Sequence, residues 1–346
     1  MTAGRAGKQH FIVLDGMRGI AALIVAGLHA RELMISGEFP DHSYLAVDFF
    51  FCLSGFVVAY AYDDRLSSGM RFSSFAKIRL IRLYPMIFVG ALLGGLVLAA
   101  GHRDGVMMPI VVTIATMLLI PAGLFFGKQA YPGDNPIWSL LFEFVANAVY
   151  AVSPRMPIRP FVSFMVLSGF GYAIISYTFD GMQTVGFDSW YSLAAGFIRV
   201  GYPFAAGVVI FRLGLYCGMG VPTFLPLLAL PALLLLPIGS RAIADAVIAM
   251  FCLPMLVVLG ARTQPVPFIQ PLLSLLGDLS YPLYLLHQPI LRIVKNVPHA
   301  DALRHIHPLL APTIAIVIAI VVSAGISRFY DSPVRKLLTV RFGGVR

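Results

Sequence analysis

Eleven apolar runs divide this chain, at residues 11–31, 44–62, 80–100, 107–126, 136–153, 160–178, 193–212, 222–238, 242–260, 273–295 and 309–328. Each is near the roughly 20 residues that a helix needs to cross a hydrocarbon core. Basic residues gather outside or at the ends of the runs. Arg5 and Lys8 precede the first, Arg65, Arg71, Lys77, Arg79 and Arg82 fall within 63–82, and Arg328, Arg335, Lys336, Arg341 and Arg346 close the chain. Such clusters mark the cytoplasmic side, so both ends are expected inside. Two inside ends require an even number of crossings, so one of the eleven runs is re-entrant, interfacial or merged. The weakest are 107–126, which leads into GKQAYPGDNP, and 222–237, which contains Pro222, Pro226, Pro231 and Pro237. The predicted fold is all-α, a polytopic membrane helix bundle of about ten transmembrane helices. It forms one domain over 1–346, with cytoplasmic tails at 1–10 and 331–346.

Composition agrees. The 346 residues are 59% hydrophobic and 12% charged, whereas a soluble domain carries about 25% charge. The expected surroundings are a lipid bilayer, and the net charge of +9 needs no nucleic acid to explain it. Cys52, Cys217 and Cys252 show no paired spacing, so they support neither a disulfide framework nor a metal site. The polar start, MTAGRAGKQH, lacks a small-residue cleavage site and is expected to be a retained tail.

Arg18 and His29 stand out within the first run. Eleven helical steps return His29 to nearly the azimuth of Arg18, about 16 Å further along. Ionisable groups on one face of an apolar helix point to a polar interior with a function. Asp48, in VDFFFCLSGF, needs a partner among its aromatics, and Arg18 is a candidate; the pair would either serve the site or tie two helices together. Ser54 and Gly55 permit close helix packing. In FAKIRLIRLYP, Lys77, Arg79 and Arg82 either anchor the membrane edge or bind phosphate, which arginine forks match. In NPIWSLLFEFVANAVY, Asn135 is a candidate cap, and Ser139, Glu143 and Asn147 share a face. Glu143, the one acid in that run, would orient an imidazole or hold a cation. In LSYPLYLLHQPI, Tyr281, Tyr284 and His287 form a polar stripe that serves a site or anchors a membrane interface. His10, His42, His102, His299, His305 and His307 fall in predicted loops or tails and are expected to be solvated. The chain has no phosphate-binding glycine loop, HExxH or GxSxG, and nothing calls for a metal, nicotinamide or flavin.

Taken in order, LDGMRGIAALIVAGLH, VDFFFCLSGF, FAKIRLIRLYP, NPIWSLLFEF and LSYPLYLLHQP resemble the membrane acyltransferase-3 family, the bacterial integral-membrane O-acyltransferases. Arg-x10-His is that family's hallmark. The resemblance implies a multi-pass protein of the bacterial inner membrane with no bound cofactor. It implies acyl-CoA as co-substrate, acetyl-CoA by default, and transfer to a hydroxyl of a sugar in an exported glycan or lipid-linked sugar. It makes His29 the catalytic histidine and Arg18 its motif partner. Arg79 and Arg82, with Lys77 beside them, would face the coenzyme, and Trp138, Ser139 and Glu143 would form the WSLxxE element. This chain departs from the usual WSLSVEEQFY, since Leu141, Phe142 and Phe144 replace its polar middle. Its arginine cluster is also thinner, with Lys77 and Ile78 where more arginines are usual. The chain ends soon after its last run, as in the short stand-alone members.

The chemistry fits this reading. Neutral histidine can deprotonate a hydroxyl near pH 7, and a thioester oxyanion needs positive charge or hydrogen-bond donors. His29 is about 27 Å along an untilted helix from Phe11, which places it in the outer half of the bilayer and Arg79 and Arg82 at the inner face. The coenzyme's arm would then thread between helices toward His29. Two other readings stay open from sequence. One is a transporter or flippase with Arg18, Asp48, Glu143 and His29 along a proton or substrate path. The other is a degenerate acyl-CoA sensor or scaffold, which the retained Arg18 and His29 disfavour.

Overall fold

The computed structural model describes residues 9–35, 41–101, 105–153, 156–297 and 306–342. These residues form helices and short helical turns, with no strand among them. The helices are α1 (Ile12–Met34), α2 (Ala46–Ser67), α3 (Phe72–Gly101), α4 (Met107–Met117), α5 (Trp138–Val152), α6 (Ile158–Thr178), α7 (Trp190–Arg212), α8 (Phe224–Leu235), α9 (Arg241–Arg262), α10 (Gln270–Lys295) and α11 (Leu310–Phe342). Each of the eleven sequence runs yields one helix.

Seven helices are long and apolar enough to cross a membrane: α1, α3, α6, α7, α9, α11 and the Ser43–Ser67 segment that contains α2. The two weakest runs give the shortest apolar helices, α4 with 11 residues and α8 with 12. At 1.5 Å per residue these are about 16–18 Å long, against about 30 Å of hydrocarbon. α4 turns back. Its Thr113 packs on Gly95 of α3, and its Met117 carbonyl accepts from Tyr84 Oη at 2.6 Å. By residues 133 and 134 the chain lies against Gly94 and Gly90 of α3 again, and α5 starts from there. α8 does traverse the bundle. Thr223 at its start donates to the Gln264 carbonyl (3.0 Å), and its Leu234 carbonyl accepts from the His42 backbone (2.9 Å) at the other face. Run 107–126 thus doubles back along α3, and run 222–237 reaches from one face of the bundle to the other despite its prolines.

α1 and α10 lie side by side and parallel at the centre. Gly19 backs on Leu276, Arg18 meets Ser280, and the His29 ring stacks on His287. A Cβ on Gly19 would fall 2.5 Å from the Leu276 carbonyl oxygen, so glycine sets this approach. α2 and α7 form the second close pair, where a Cβ on Gly207 would fall 2.0 Å from the Cys52 carbonyl oxygen. α10 has 26 residues but is too polar to count among the seven. Its residues 282–291 are all buried, so other helices, not lipid, receive its Ser280, Tyr284, His287 and Gln288. Large apolar side chains of α6 point outward instead, with Leu167, Phe170 and Ile174 exposed as lipid-facing surface requires.

The expected C-terminal tail from 331 is helical through Phe342, because a π-helical turn at Ser327–Asp331 joins it to the span above. Lys77 Nζ sits 5.6 Å from the Phe342 ring centroid, so α3 starts where α11 ends.

Candidate active site

Two cavities lie along the α1–α10 axis. The first, of about 220 Å³, is walled by α1, α2, α3, α5, α10 and α11. Arg18, Arg79, Arg82 and Arg335 face it, together with Glu143, Asp278 and Asp331. The second, of about 250 Å³, holds His29 and Glu32, the amides of Gln129, Asn135, Gln183 and Gln288, and the rings of Trp138, Phe187 and Tyr44. Helical periodicity explains the split. Arg18 and His29 share a face of α1, as expected, but eleven residues of rise deliver them to different compartments.

Arg18 is clamped in place. Its Nε donates to Ser280 Oγ (2.8 Å), and its Nη2 donates to the Gly277 carbonyl (3.0 Å) and pairs with Asp15 (2.9 Å). Asp48 is not its partner. The Asp48 carboxylate instead pairs with Arg199, which sequence reading did not single out. Arg199 Nη2 reaches Asp48 Oδ2 at 2.5 Å and Nε reaches Oδ1 at 3.2 Å, while Tyr172 donates to the same Oδ1 at 3.0 Å. Both side chains are almost wholly buried, and Arg199 also donates to the carbonyls of Met182 and Val185. This network pins α2 to α7. An arginine well inside the apolar run 193–212, away from the Arg212 at its end, was the available signal.

Glu143 holds a cation rather than an imidazole. It accepts from Arg79 Nη2 at 2.6 Å and from Ser54 Oγ at 2.9 Å. Arg79 is buried, and Arg82 stands exposed at the same cavity. Lys77 does not line that cavity and lies over Phe342 instead. Ser139 and Glu143 share the cavity as their spacing predicts, whereas Asn147, on the same face, does not reach it. Asn135 makes no side-chain cap. Its backbone N–H donates to Gln288 Oε1 at 2.6 Å, and α5 proper begins at Trp138.

His29 Nδ1 lies 2.9 Å from Glu32 Oε2. A carboxylate can only accept, so Nδ1 carries the proton in the neutral ring and Nε2 keeps the lone pair. This is the arrangement of an oriented general base. Glu32 was missed in the sequence, although the i, i+3 spacing in HARE was legible. The His29 and His287 rings stack at 5.3 Å. His287 is fully buried; its Nδ1 donates to the Leu283 carbonyl (2.9 Å), and its Nε2 has no partner among the described residues. Tyr281 donates to the Leu83 carbonyl (2.6 Å) and lines the first cavity. Tyr284 bonds Ser139 Oγ at 2.7 Å.

Of the histidines expected in solvent, His10 and His307 are exposed. His42 is not: it is buried, and its Nδ1 lies 2.7 Å from Asp245 Oδ1. That bond raises the His42 pKa above its ordinary value against the opposing pull of burial. Asp245, near the start of the apolar run 242–260, draws the imidazole in, and it also accepts from Tyr44. His102, His299 and His305 lie outside the described residues.

Arg18 and Glu143 face the first cavity and His29 the second, while Asp48 is buried against Arg199 and lines neither. What the geometry defines is a membrane protein with an oriented imidazole in one compartment, which Arg199 and Arg292 also line, and a cluster of four arginines in another. The acyltransferase-domain model of the acyltransferase-3 family matches residues 11–328, and the chain belongs to that family. It is also similar to "Protein 2 in picA locus" of Rhizobium radiobacter, with 37% identity over 158 residues, which is 41% of this chain and 82% of that protein. No solved structure matches. The protein is therefore an acyltransferase of the membrane.

Glu32→Gln is expected to lower the maximal rate of acyl transfer roughly ten- to a hundredfold, because the amide cannot stabilise an imidazolium by charge. Glu32 is 38% exposed, so its effect falls below that of a buried orienting carboxylate. Rates measured in membranes at saturating donor test this, and an unchanged rate would reduce Glu32 to a surface residue.

Proposed function

We propose that this protein takes an acyl group, acetyl by default, from cytoplasmic acyl-CoA and gives it to a hydroxyl of a sugar in an exported glycan or glycolipid. The observation that carries this reading is the division of labour between the two cavities. Clustered arginines suit the coenzyme's phosphates, and an oriented imidazole with a free lone pair suits a hydroxyl. The amide and aromatic lining beside His29 favours a sugar as acceptor. Amides both donate to and accept from hydroxyls, and rings cover the apolar faces of the pyranose. In the reaction His29 Nε2 removes the hydroxyl proton as the oxygen attacks the thioester carbonyl. The carbon–sulfur bond then breaks, and the departing thiolate recovers the proton. The protein acts from the bacterial cytoplasmic membrane with both termini inside, so the basic end of the bundle holds the coenzyme and the arm passes inward between helices.

Radiolabelled acetyl-CoA supplied to membranes that contain the protein tests the donor. Arg79→Ala with Arg82→Ala is expected to raise the KM for acetyl-CoA about tenfold or more, because a charge-assisted hydrogen bond contributes about 1.5–3 kcal/mol. If KM holds and only protein yield falls, the two arginines anchor the membrane edge and the coenzyme site lies elsewhere.

A further inference from the structure

The two cavities meet at one side chain. Among the described residues, only Tyr284 lines both. Its neighbours divide the wall between them: Ser139 faces the arginine cavity, while Pro136 and Trp138 face the His29 cavity. The Tyr284 hydroxyl lies 2.7 Å from Ser139 Oγ and 3.2 Å from the Pro136 carbonyl, and Ser139 Oγ lies 3.1 Å from that same carbonyl. The Tyr284 ring is held on both sides, edge-on to Phe50 at 5.3 Å and 6.1 Å from His287, which stacks on His29.

If the coenzyme arrives through the arginine cavity and the acceptor through the other, the thioester must react where the two meet. We infer that the Tyr284 hydroxyl is a catalytic donor, hydrogen-bonding the thioester oxygen at this junction. The inference rests on the two-cavity reading above. The two hydroxyls and the Pro136 carbonyl hydrogen-bond one another at the wall between the cavities. The arriving thioester oxygen replaces Ser139 or the Pro136 carbonyl as acceptor from Tyr284 O–H. As the acceptor oxygen bonds to the carbonyl carbon and gives its proton to His29 Nε2, the carbonyl electron pair moves onto that oxygen. The donor bond therefore strengthens as charge develops. When the carbon–sulfur bond breaks, the pair returns to re-form the carbonyl, and the thiolate takes the proton from His29. Other nearby groups are less suited. Tyr281 is committed to the Leu83 carbonyl and lines the arginine cavity alone, and Trp138 lines the other alone.

Tyr284→Phe removes the donor and keeps the ring that forms the wall. Two measurements on the whole protein in nanodiscs or membranes test it. In isotope-edited infrared spectra of carbonyl-¹³C acetyl-CoA, the thioester stretch is expected to move to lower frequency on binding to wild type, and to return to its solution value in Tyr284→Phe. In transfer assays from labelled acetyl-CoA to the glycan fraction of the native membranes, kcat is expected to fall about a hundredfold or more with KM for acetyl-CoA unchanged, the effect of losing one oxyanion donor. A Phe variant with wild-type kcat, or an infrared shift that survives the substitution, overturns the inference. So does a change confined to KM, which would make Tyr284 part of the wall only. Should Tyr284→Phe fail to fold, the absence of a bound-state infrared shift in wild type itself would overturn it. Wild-type protein that binds no acetyl-CoA at all would instead defeat the donor reading on which the inference rests.

Discussion

His29→Ala is expected to lower acyl transfer by about a hundredfold to ten-thousandfold, the usual contribution of a positioned general base. The oriented Nε2 lone pair is the reason, and the argument starts from a single bond. Glu32 accepts from Nδ1 at 2.9 Å and so fixes which nitrogen is basic. The fold should survive the change. His29 is half-buried at a cavity wall, and its loss removes a stacking contact with His287 but leaves no buried charge unpaired. The variant should therefore insert, elute as wild type in detergent and bind donor normally. Transfer above a few per cent of wild type at saturating acetyl-CoA would remove His29 from the base's role.

Arg199→Met is expected to act on stability rather than on chemistry. It would strand the Asp48 carboxylate, which is wholly buried, and leave the Met182 and Val185 carbonyls without their donor. Breaking a buried pair on one side costs about 3–5 kcal/mol, enough to cut the yield of folded protein sharply. The double variant Arg199→Met with Asp48→Leu removes both charges and should recover at least half of the lost stability, because the desolvation penalty goes with them. Thermal unfolding of the detergent-solubilised protein measures both. If the single and double variants are equally destabilised, the packing of Arg199 against Trp138, 5.2 Å from its ring, matters more than its charge.

The placement of these residues could be read only in part from the chain. Helical periodicity correctly put Arg18 and His29 on one face of α1, and Ser139 with Glu143 on one face of α5. It could not say what stood opposite. Asp48 found Arg199 from 151 residues away, and Glu143 found Arg79 from 64. Arg18, nearer to Asp48 in the chain, was taken by Asp15, Ser280 and Gly277. The same limit hid His42, because nothing local to a loop histidine reveals that Asp245 will bury it.

By itself the sequence determined the helical class, the membrane setting, the eleven apolar runs and the family. All of these follow from local properties: hydropathy over a span, the placement of basic residues and short ordered motifs. Even the weakness of runs 107–126 and 222–237 was legible, since prolines and polar neighbours shorten a helix wherever it packs. Only the tertiary structure decided that α4 turns back while α8 crosses, that the polar helix α10 lies at the centre, and that two cavities meet at Tyr284. Those outcomes depend on which faces of distant helices come into contact. Glycines such as Gly19 and Gly207 set those contacts by letting backbones approach, and the glycines alone do not name the helix that will fill the space.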